Sequence, residues 1–147
     1  MNKELAERFR REGIIDKVAL HWWRYGGFFD TIHPELGIES WVVPMTGYYY
    51  WTPLQDHLNN IYLATQKAAE EDAEGAEAYS VYYSAYHRQY ACLAEYSWNS
   101  KGTGDVDAFR EKYTRFLFGD APEGKEAFKR LDFVTGPMGP TNWAIYH

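Results

Sequence analysis

IESWVV, residues 38–43, is predicted to form a short strand that Pro44 closes. Two other apolar segments are predicted to be strands: residues 14–22, IIDKVALHW, largely buried, and residues 76–81, AEAYSV. A helical pattern over residues 53–72 separates the second strand from the third. Strands that alternate with helices favour parallel pairing through right-handed crossovers.

The rest of the chain is predicted to be mostly helical. A first helix at 2–12 ends at Gly13. Three more helices are predicted after the third strand, at residues 85–98, 105–118 and 122–131. Asp105 is the expected N-cap of the middle one, and Val106, Phe109, Tyr113, Phe116 and Leu117 are expected to form its apolar face.

This order of elements predicts an α/β fold, a partial (β/α) barrel of about three parallel strands followed by C-terminal helices. The barrel part is expected to span residues 1–132, with an irregular tail at 133–147 that is rich in Gly and Pro. Three parallel strands leave two sheet edges unpaired. We therefore expect either the remaining strands of a barrel or a partner that covers these edges. Short apolar runs also leave open an all-helical alternative.

Composition narrows the class of ligand. A formal net charge of −6 disfavours nucleic acid and anionic membrane surfaces, but it is compatible with carbohydrate or another neutral small molecule. No apolar stretch approaches the roughly 20 residues of a membrane-spanning helix, and the N-terminus has the pattern of a charged helix rather than of a signal peptide. A single cysteine leaves the compartment undetermined.

Aromatic residues make up 18% of the chain and occur in runs that no single buried face can absorb. These runs follow the three predicted strands, and βα folds bind ligands at the carboxyl ends of their strands. Tryptophan and tyrosine stack on the apolar faces of sugar rings, while His, Arg and Tyr bind hydroxyls. The predicted sugar-binding residues are Trp22, Trp23, Arg24, Tyr48, Tyr50, Trp51, Tyr79, Tyr82, Tyr83, His87 and Arg88.

Other chemistry has little support in the sequence. The five histidines show no metal-ligand spacing, no glycine-rich phosphate loop occurs, and no cofactor is expected. His57 is predicted to lie on the surface of the long helix, and Cys92 to be a buried, inert thiol. The acids Glu70, Glu71, Asp72 and Glu74 are predicted to form a solvated face at a helix end.

A pair of catalytic carboxylates is also not evident. Glycoside hydrolysis needs two carboxylates that flank the scissile bond. Asp16 is predicted to begin a strand, Asp30, Glu35 and Glu39 to lie in or after the first loop, and Glu95 to lie within a helix. No Asp-Glu pair therefore stands at a strand end, and the chain is not expected to be catalytic alone.

The segment from Ala73 to Gly119 is similar to the last strand and helix of family-20-type glycoside hydrolases, the β-N-acetylhexosaminidases, and of related bacterial barrels. The features that carry the resemblance are Ala73 to Gly75, Trp98-Asn99, Asp105-Val106-Asp107 and Phe118-Gly119, and IESWVVPMTGYYYW is similar to the preceding strand and loop. The resemblance covers residues 14–131 as the final three strands of an eight-stranded barrel. It implies a pocket for an N-acetylated amino sugar, with Trp22, Trp51, Tyr79 and Tyr82 as walls, while the family's catalytic Asp-Glu pair would lie on an earlier strand.

Two functional hypotheses follow. In the first, the chain is the C-terminal part of a carbohydrate-active barrel and supplies an aromatic sugar-binding wall. In the second, it is a non-catalytic binding module that self-associates through its sheet edges and aromatic surface, as a homo-oligomer.

Overall fold

The computed structural model describes residues 3–23, 31–46, 57–78, 86–102 and 104–135. Its helices are α1 (Lys3–Arg11), α2 (Leu58–Glu70), α3 (His87–Trp98), α4 (Val106–Phe118) and α5 (Pro122–Thr135). Its strands are β1 (Ala19–Trp23), β2 (Glu39–Val43) and β3 (Gly75–Ala76). Short 3₁₀ turns at Ile15–Lys17 and Pro34–Leu36 precede β1 and β2.

The three strands form one parallel sheet in the order β1-β2-β3. Ala19 pairs with Glu39 at one end of β1, Trp23 pairs with Val43 at the other, and Trp41 pairs with Gly75. The predicted α/β class, with parallel strands in chain order, is confirmed. The sheet excludes the all-helical alternative.

Helices α1, α2 and α3 all pack on the same face of this sheet. Successive strand residues point to opposite faces, so Leu20 and Trp22 share a face with Ser40 and Val42. Trp22 and Val42 pack against Ala64 and Ala68 of α2. At the amino ends of the strands, Ala6 of α1 packs with Leu36 and Ile38, and Leu20 lies against them. Ala76 and Ala78 pack against the cluster that α3 shares with α2.

A second core holds α2, α3 and α4 together. Tyr62 and Tyr96 meet edge to face with their ring centroids 4.9 Å apart, and the Tyr96 hydroxyl donates a 2.7 Å hydrogen bond to the carbonyl of Asp105. The buried members of this core are Leu58, Ile61, Cys92, Leu93, Tyr96, Val106, Phe109 and Tyr113. Cys92 is fully buried, as predicted.

The predicted end signals of two helices are confirmed. Gly13 follows α1 with φ of +66°, a conformation that favours glycine over other residues. Asp105 precedes α4 with an extended backbone, and its Oδ1 accepts a 3.0 Å hydrogen bond from the N–H of Ala108. Gly119, with φ of +63°, ends α4.

Several predicted boundaries were wrong. Residues 14–18 are not a strand, because the chain makes a 3₁₀ turn that includes Asp16 before β1 begins at Ala19. The first strand is also not largely buried, since only Trp22 of its five residues is. Helix α5 continues to Thr135, three residues into the tail that was predicted to be irregular.

The prediction that Phe116 and Leu117 belong to the apolar face of α4 was wrong. Val106, Phe109 and Tyr113 are buried as expected, whereas the Phe116 side chain is 75% exposed and Leu117 is 43% exposed. The helix turns its last apolar residues outward because the neighbouring α5 meets it along Tyr113 and Phe118, where Phe128 contacts both rings.

The acidic run at the end of α2 is not uniformly solvated, which corrects another prediction. Glu71 is only 17% exposed, and its Oε2 accepts hydrogen bonds from the N–H of Ile32 at 2.7 Å and from the Thr31 hydroxyl at 2.9 Å. Its Oε1 lies 2.7 Å from the Lys67 ammonium. Burial alone would raise the pKa of Glu71, but the hydrogen bonds from Lys67, Ile32 and Thr31 lower it overall.

Candidate binding face of the sheet

The face of the sheet opposite α1, α2 and α3 carries two tryptophans and three titratable side chains. Strand alternation places on it the side chains of Ala19, His21, Trp23, Glu39, Trp41, Val43 and Glu77, with Gly75 in the same set. We refer to His21, Trp23, Glu39, Trp41 and Glu77 as the aromatic face. Val43, on the same side, is only 2% exposed.

Trp41 lies flat over Gly75 on the neighbouring strand. A Cβ atom on Gly75 would come within 2.7 to 3.3 Å of three carbons of the six-membered ring of Trp41, so glycine is what allows the indole to lie this close. The Trp41 Nε1–H donates a 2.6 Å hydrogen bond to Oε1 of Glu39. The position of the Trp41 ring is therefore set by its close approach to Gly75 and by the hydrogen bond of its Nε1–H to the Glu39 carboxylate.

Trp23 offers a second ring on the adjacent strand. It is 45% exposed, whereas its neighbour Trp22 points to the other face and is 5% exposed. Trp23 pairs with Val43, two residues beyond Trp41, so strand spacing sets the Cα atoms of the two tryptophans about 8 Å apart. Two large rings thus lie on neighbouring strands of one surface.

A histidine–glutamate pair completes the aromatic face. Nδ1 of His21 lies 2.9 Å from Oε2 of Glu77, and the two side chains are 48% and 52% exposed. The pair joins the outer strand β1 to the residue that directly follows β3, so it spans the sheet. An exposed pair of this kind contributes little stability, about 0–1 kcal/mol, and its carboxylate remains accessible to a ligand.

Of the eleven predicted sugar-binding residues, the structure describes four. Trp23 lies on the aromatic face, while Trp22 packs in the core against Ala64 and Ala68 and has little surface left for stacking. Arg24, Tyr48, Tyr50, Trp51, Tyr79, Tyr82 and Tyr83 lie outside the described residues, and their role stays a prediction.

His87 and Arg88 begin α3 and contact the C-terminal helices. Nδ1 of His87 lies 2.8 Å from the Tyr113 hydroxyl, and the guanidinium carbon of Arg88 lies 5.6 Å from the centroid of the Phe128 ring. Burial raises the pKa of Tyr113, and the positive charge of Arg88 opposes this rise. Both residues thus help to attach α4 and α5 to the first turn of α3.

His57 is buried, so its predicted surface position was wrong. It precedes α2 and is 7% exposed, and Asn60 in the first turn of that helix is 8% exposed. Oδ1 of Asn60 accepts a 2.8 Å hydrogen bond from the N–H of Met45, just after β2. The start of α2 therefore packs on the carboxyl end of β2, which buries the polar residues there.

Sequence reasoning missed four of the five residues of the aromatic face as binding residues: His21, Glu39, Trp41 and Glu77. The alternation of IESWVV sets Glu39 and Trp41 on one face and Ser40 and Val42 on the other, which was a usable signal. Glu77 could be placed on this face only once the register of β3 was known. Its segment was predicted to be a strand, but the prediction did not say which side chains point to which face.

No group of three or more His, Cys, Asp or Glu side chains in the described part of the chain is placed to hold a metal ion. Within those same ranges, no helix is both long and apolar enough to cross a membrane. Comparisons of the chain with family models, with curated proteins and with solved structures gave no match.

Proposed function

We propose that this chain is the C-terminal part of a carbohydrate-active (β/α) barrel, in which it supplies an aromatic sugar-binding wall. Two features of the fold support the barrel. The strands are parallel and neighbour each other in chain order, and α1, α2 and α3 share one face. Doubly wound sheets instead carry helices on both faces and reverse their strand order at a switch point.

The observation that carries the sugar-binding proposal is the placement of Trp23 and Trp41 on the face of the sheet opposite α1, α2 and α3. In a (β/α) barrel this face lines the packed interior, and the ligand site lies at the carboxyl ends of the strands, where Trp23 ends β1 and Trp41 lies two residues before the end of β2. Indole rings stack on the C–H faces of sugars, and Glu39, Glu77 and His21 supply the hydrogen-bonding groups that hydroxyls need.

The two carboxylates of the aromatic face lie on different strands, and each contacts a neighbour within the face. Glu39 and Glu77 lie one strand apart and four residues apart along the strands, so their Cα atoms are about 14 Å from each other. Each carboxylate is also engaged by a neighbour, Glu39 by Trp41 and Glu77 by His21.

Calorimetric titration with oligosaccharides tests the proposal. Trp23→Ala and Trp41→Ala are each expected to weaken binding about tenfold or more, since a stacked aromatic ring contributes about 1–3 kcal/mol of binding. Trp98→Ala is the matched control, because Trp98 is 92% exposed at the end of α3, away from the sheet. Equal losses in all three variants, or no binding to any β-linked glucose or N-acetylglucosamine oligomer, would sink the proposal.

Self-association is a second candidate because three large apolar residues at the end of α4 are exposed. Phe116, Leu117 and Phe118 are 75%, 43% and 46% exposed. Large exposed apolar patches mark interaction sites. Light scattering after size-exclusion chromatography is expected to show a concentration-dependent mass that Phe116→Ser lowers; a constant monomer mass for the unaltered protein would remove this candidate.

A further inference from the structure

We propose that the aromatic face selects a cationic amino sugar, one that carries an ammonium group, over a neutral sugar of the same size. This inference rests on the proposed function and specifies the ligand of the same surface. It follows from the charges and the rings that the sheet brings together.

The sign of the charge on the aromatic face favours a cationic ligand. Strand alternation brings two carboxylates, Glu39 and Glu77, to this surface, and the strands place no lysine or arginine there. Among the described residues of this face, the other ionisable side chain is His21. A ligand with a positive charge therefore meets an attractive potential on this surface, and an anionic ligand meets a repulsive one.

The contact between the Glu39 carboxylate and the Trp41 indole offers a place for an ammonium group. Tryptophan is the aromatic side chain that attracts a cation most strongly over its ring face, within about 6 Å of the centroid. The Oε1 atom of Glu39 is fixed at the edge of the Trp41 ring by its 2.6 Å hydrogen bond to Nε1. An ammonium above Trp41 would contact the ring and lie near this carboxylate at the same time.

Glu77 offers a second, partly exposed carboxylate on the aromatic face. Its Oε2 atom contacts His21, but its side chain is 52% exposed, so a ligand can still reach it. Glu77 directly follows β3, and continuing the register places it beside Val43 of β2. Val43 in turn pairs with Trp23 of β1. Each tryptophan thus has a carboxylate in its neighbourhood, so a glycan with a cation on successive sugars fits better than one with a single charge.

The test compares two trimers of glucosamine, one N-acetylated and one N-trimethylated, by calorimetry at neutral pH. The trimethylated trimer has a fixed charge, and the bulk of its substituent is similar to that of the acetyl group. We expect it to bind about tenfold more tightly at low salt, with a preference that falls as salt is raised. Equal affinities, or tighter binding of the N-acetylated trimer, overturn the inference and leave the proposed function standing. Binding of neither trimer removes both.

Charge-neutralising variants locate the effect. Glu39→Gln and Glu77→Gln keep the shape of the side chain and are each expected to reduce the preference for the cationic trimer about threefold or more, with little change for the N-acetylated trimer. Glu70→Gln is the matched control, since it makes the same change in net charge at an exposed position of α2. A loss of preference in all three variants alike would show that net charge, not the aromatic face, selects the ligand.

Discussion

Replacing Glu71 by alanine is expected to destabilise the protein strongly, although the residue belongs to a run of four acids that has the pattern of a solvated helix end. The Glu71 carboxylate connects the end of α2 with the segment that precedes β2. Its Oε2 accepts the N–H of Ile32 and the hydroxyl of Thr31, and its Oε1 binds the ammonium of Lys67. Truncation therefore releases the segment that leads into β2 from the end of α2.

The size of the effect follows from these contacts. Hydrogen bonds to a charged group each contribute about 1.5–3 kcal/mol, and a buried donor left without a partner costs about 1–3 kcal/mol. Ile32 is 1% exposed, so its N–H has little access to replacement water. Because the Glu71 side chain is itself 17% exposed, we expect Glu71→Ala to lower the free energy of unfolding by about 2–4 kcal/mol. Glu71→Gln keeps an acceptor and is expected to lose about 1 kcal/mol.

Urea unfolding followed by circular dichroism and tryptophan fluorescence measures this difference. With a slope of about 2 kcal/mol per molar urea, the midpoint for Glu71→Ala should fall by about 1–2 M. Glu70→Ala is the matched control at the neighbouring exposed position and should stay within about 0.5 kcal/mol of the parent protein. If Glu71→Ala and Glu70→Ala unfold at the same urea concentration, the carboxylate does not hold the segment in place.

The pH dependence provides an independent measurement on the same residue. The pKa of Glu71 is lowered in the folded state, so its contribution is fully present above the ordinary carboxyl pKa and is lost as the pH falls through the lowered, folded-state value. The stability difference between the parent protein and Glu71→Gln should therefore shrink on acidification. A difference that is constant down to the acid transition would contradict this assignment.

Two other substitutions test the structure in the same way. Gly75→Ala should displace the Trp41 ring from β3, because the added Cβ would lie 2.7 Å from a ring carbon. Calorimetry should then show sugar binding weakened about as much as by Trp41→Ala. Unchanged affinity would show that the position of the ring does not matter for binding. Asp105→Ala should cost about 1 kcal/mol in urea unfolding through loss of the N-cap of α4, whereas Asp105→Asn should cost much less, and equal costs would point to a cause other than capping.

The elements of the fold were largely predictable because their signals are local. Alternation of strands with helices predicted a parallel sheet, and Asp105 and Gly119 mark the ends of α4. The errors arose where tertiary contacts override local pattern. Residues 14–18 are apolar enough for a strand, but the backbone makes a 3₁₀ turn there, with Ile15 and Val18 packed toward α1.

The candidate site was less predictable because it depends on which face of each strand is covered. Sequence reasoning placed the ligand at the strand ends and grouped Trp22 with Trp23, although neighbouring strand residues point to opposite faces. Among the described elements, α2 packs against Trp22, whereas Trp23 on the opposite face is 45% exposed. Which face is covered depends on the register between strands and on the helix positions, which no single segment encodes.

The contact between His21 and Glu77 provides a test of whether further strands cover the aromatic face. In the structure His21 and Glu77 are about half exposed, so His21→Ala should change the free energy of unfolding by less than about 1 kcal/mol. In a closed barrel the same substitution would leave the Glu77 carboxylate buried without its partner, at a cost of about 3–5 kcal/mol. Urea unfolding of His21→Ala, with Glu70→Ala as the surface control, distinguishes the two states of the face. A small effect means that the sheet presents the aromatic face to solvent and to ligands. A large effect means that another copy or another chain covers it, and the sugar-binding proposal would then apply only to the assembled protein.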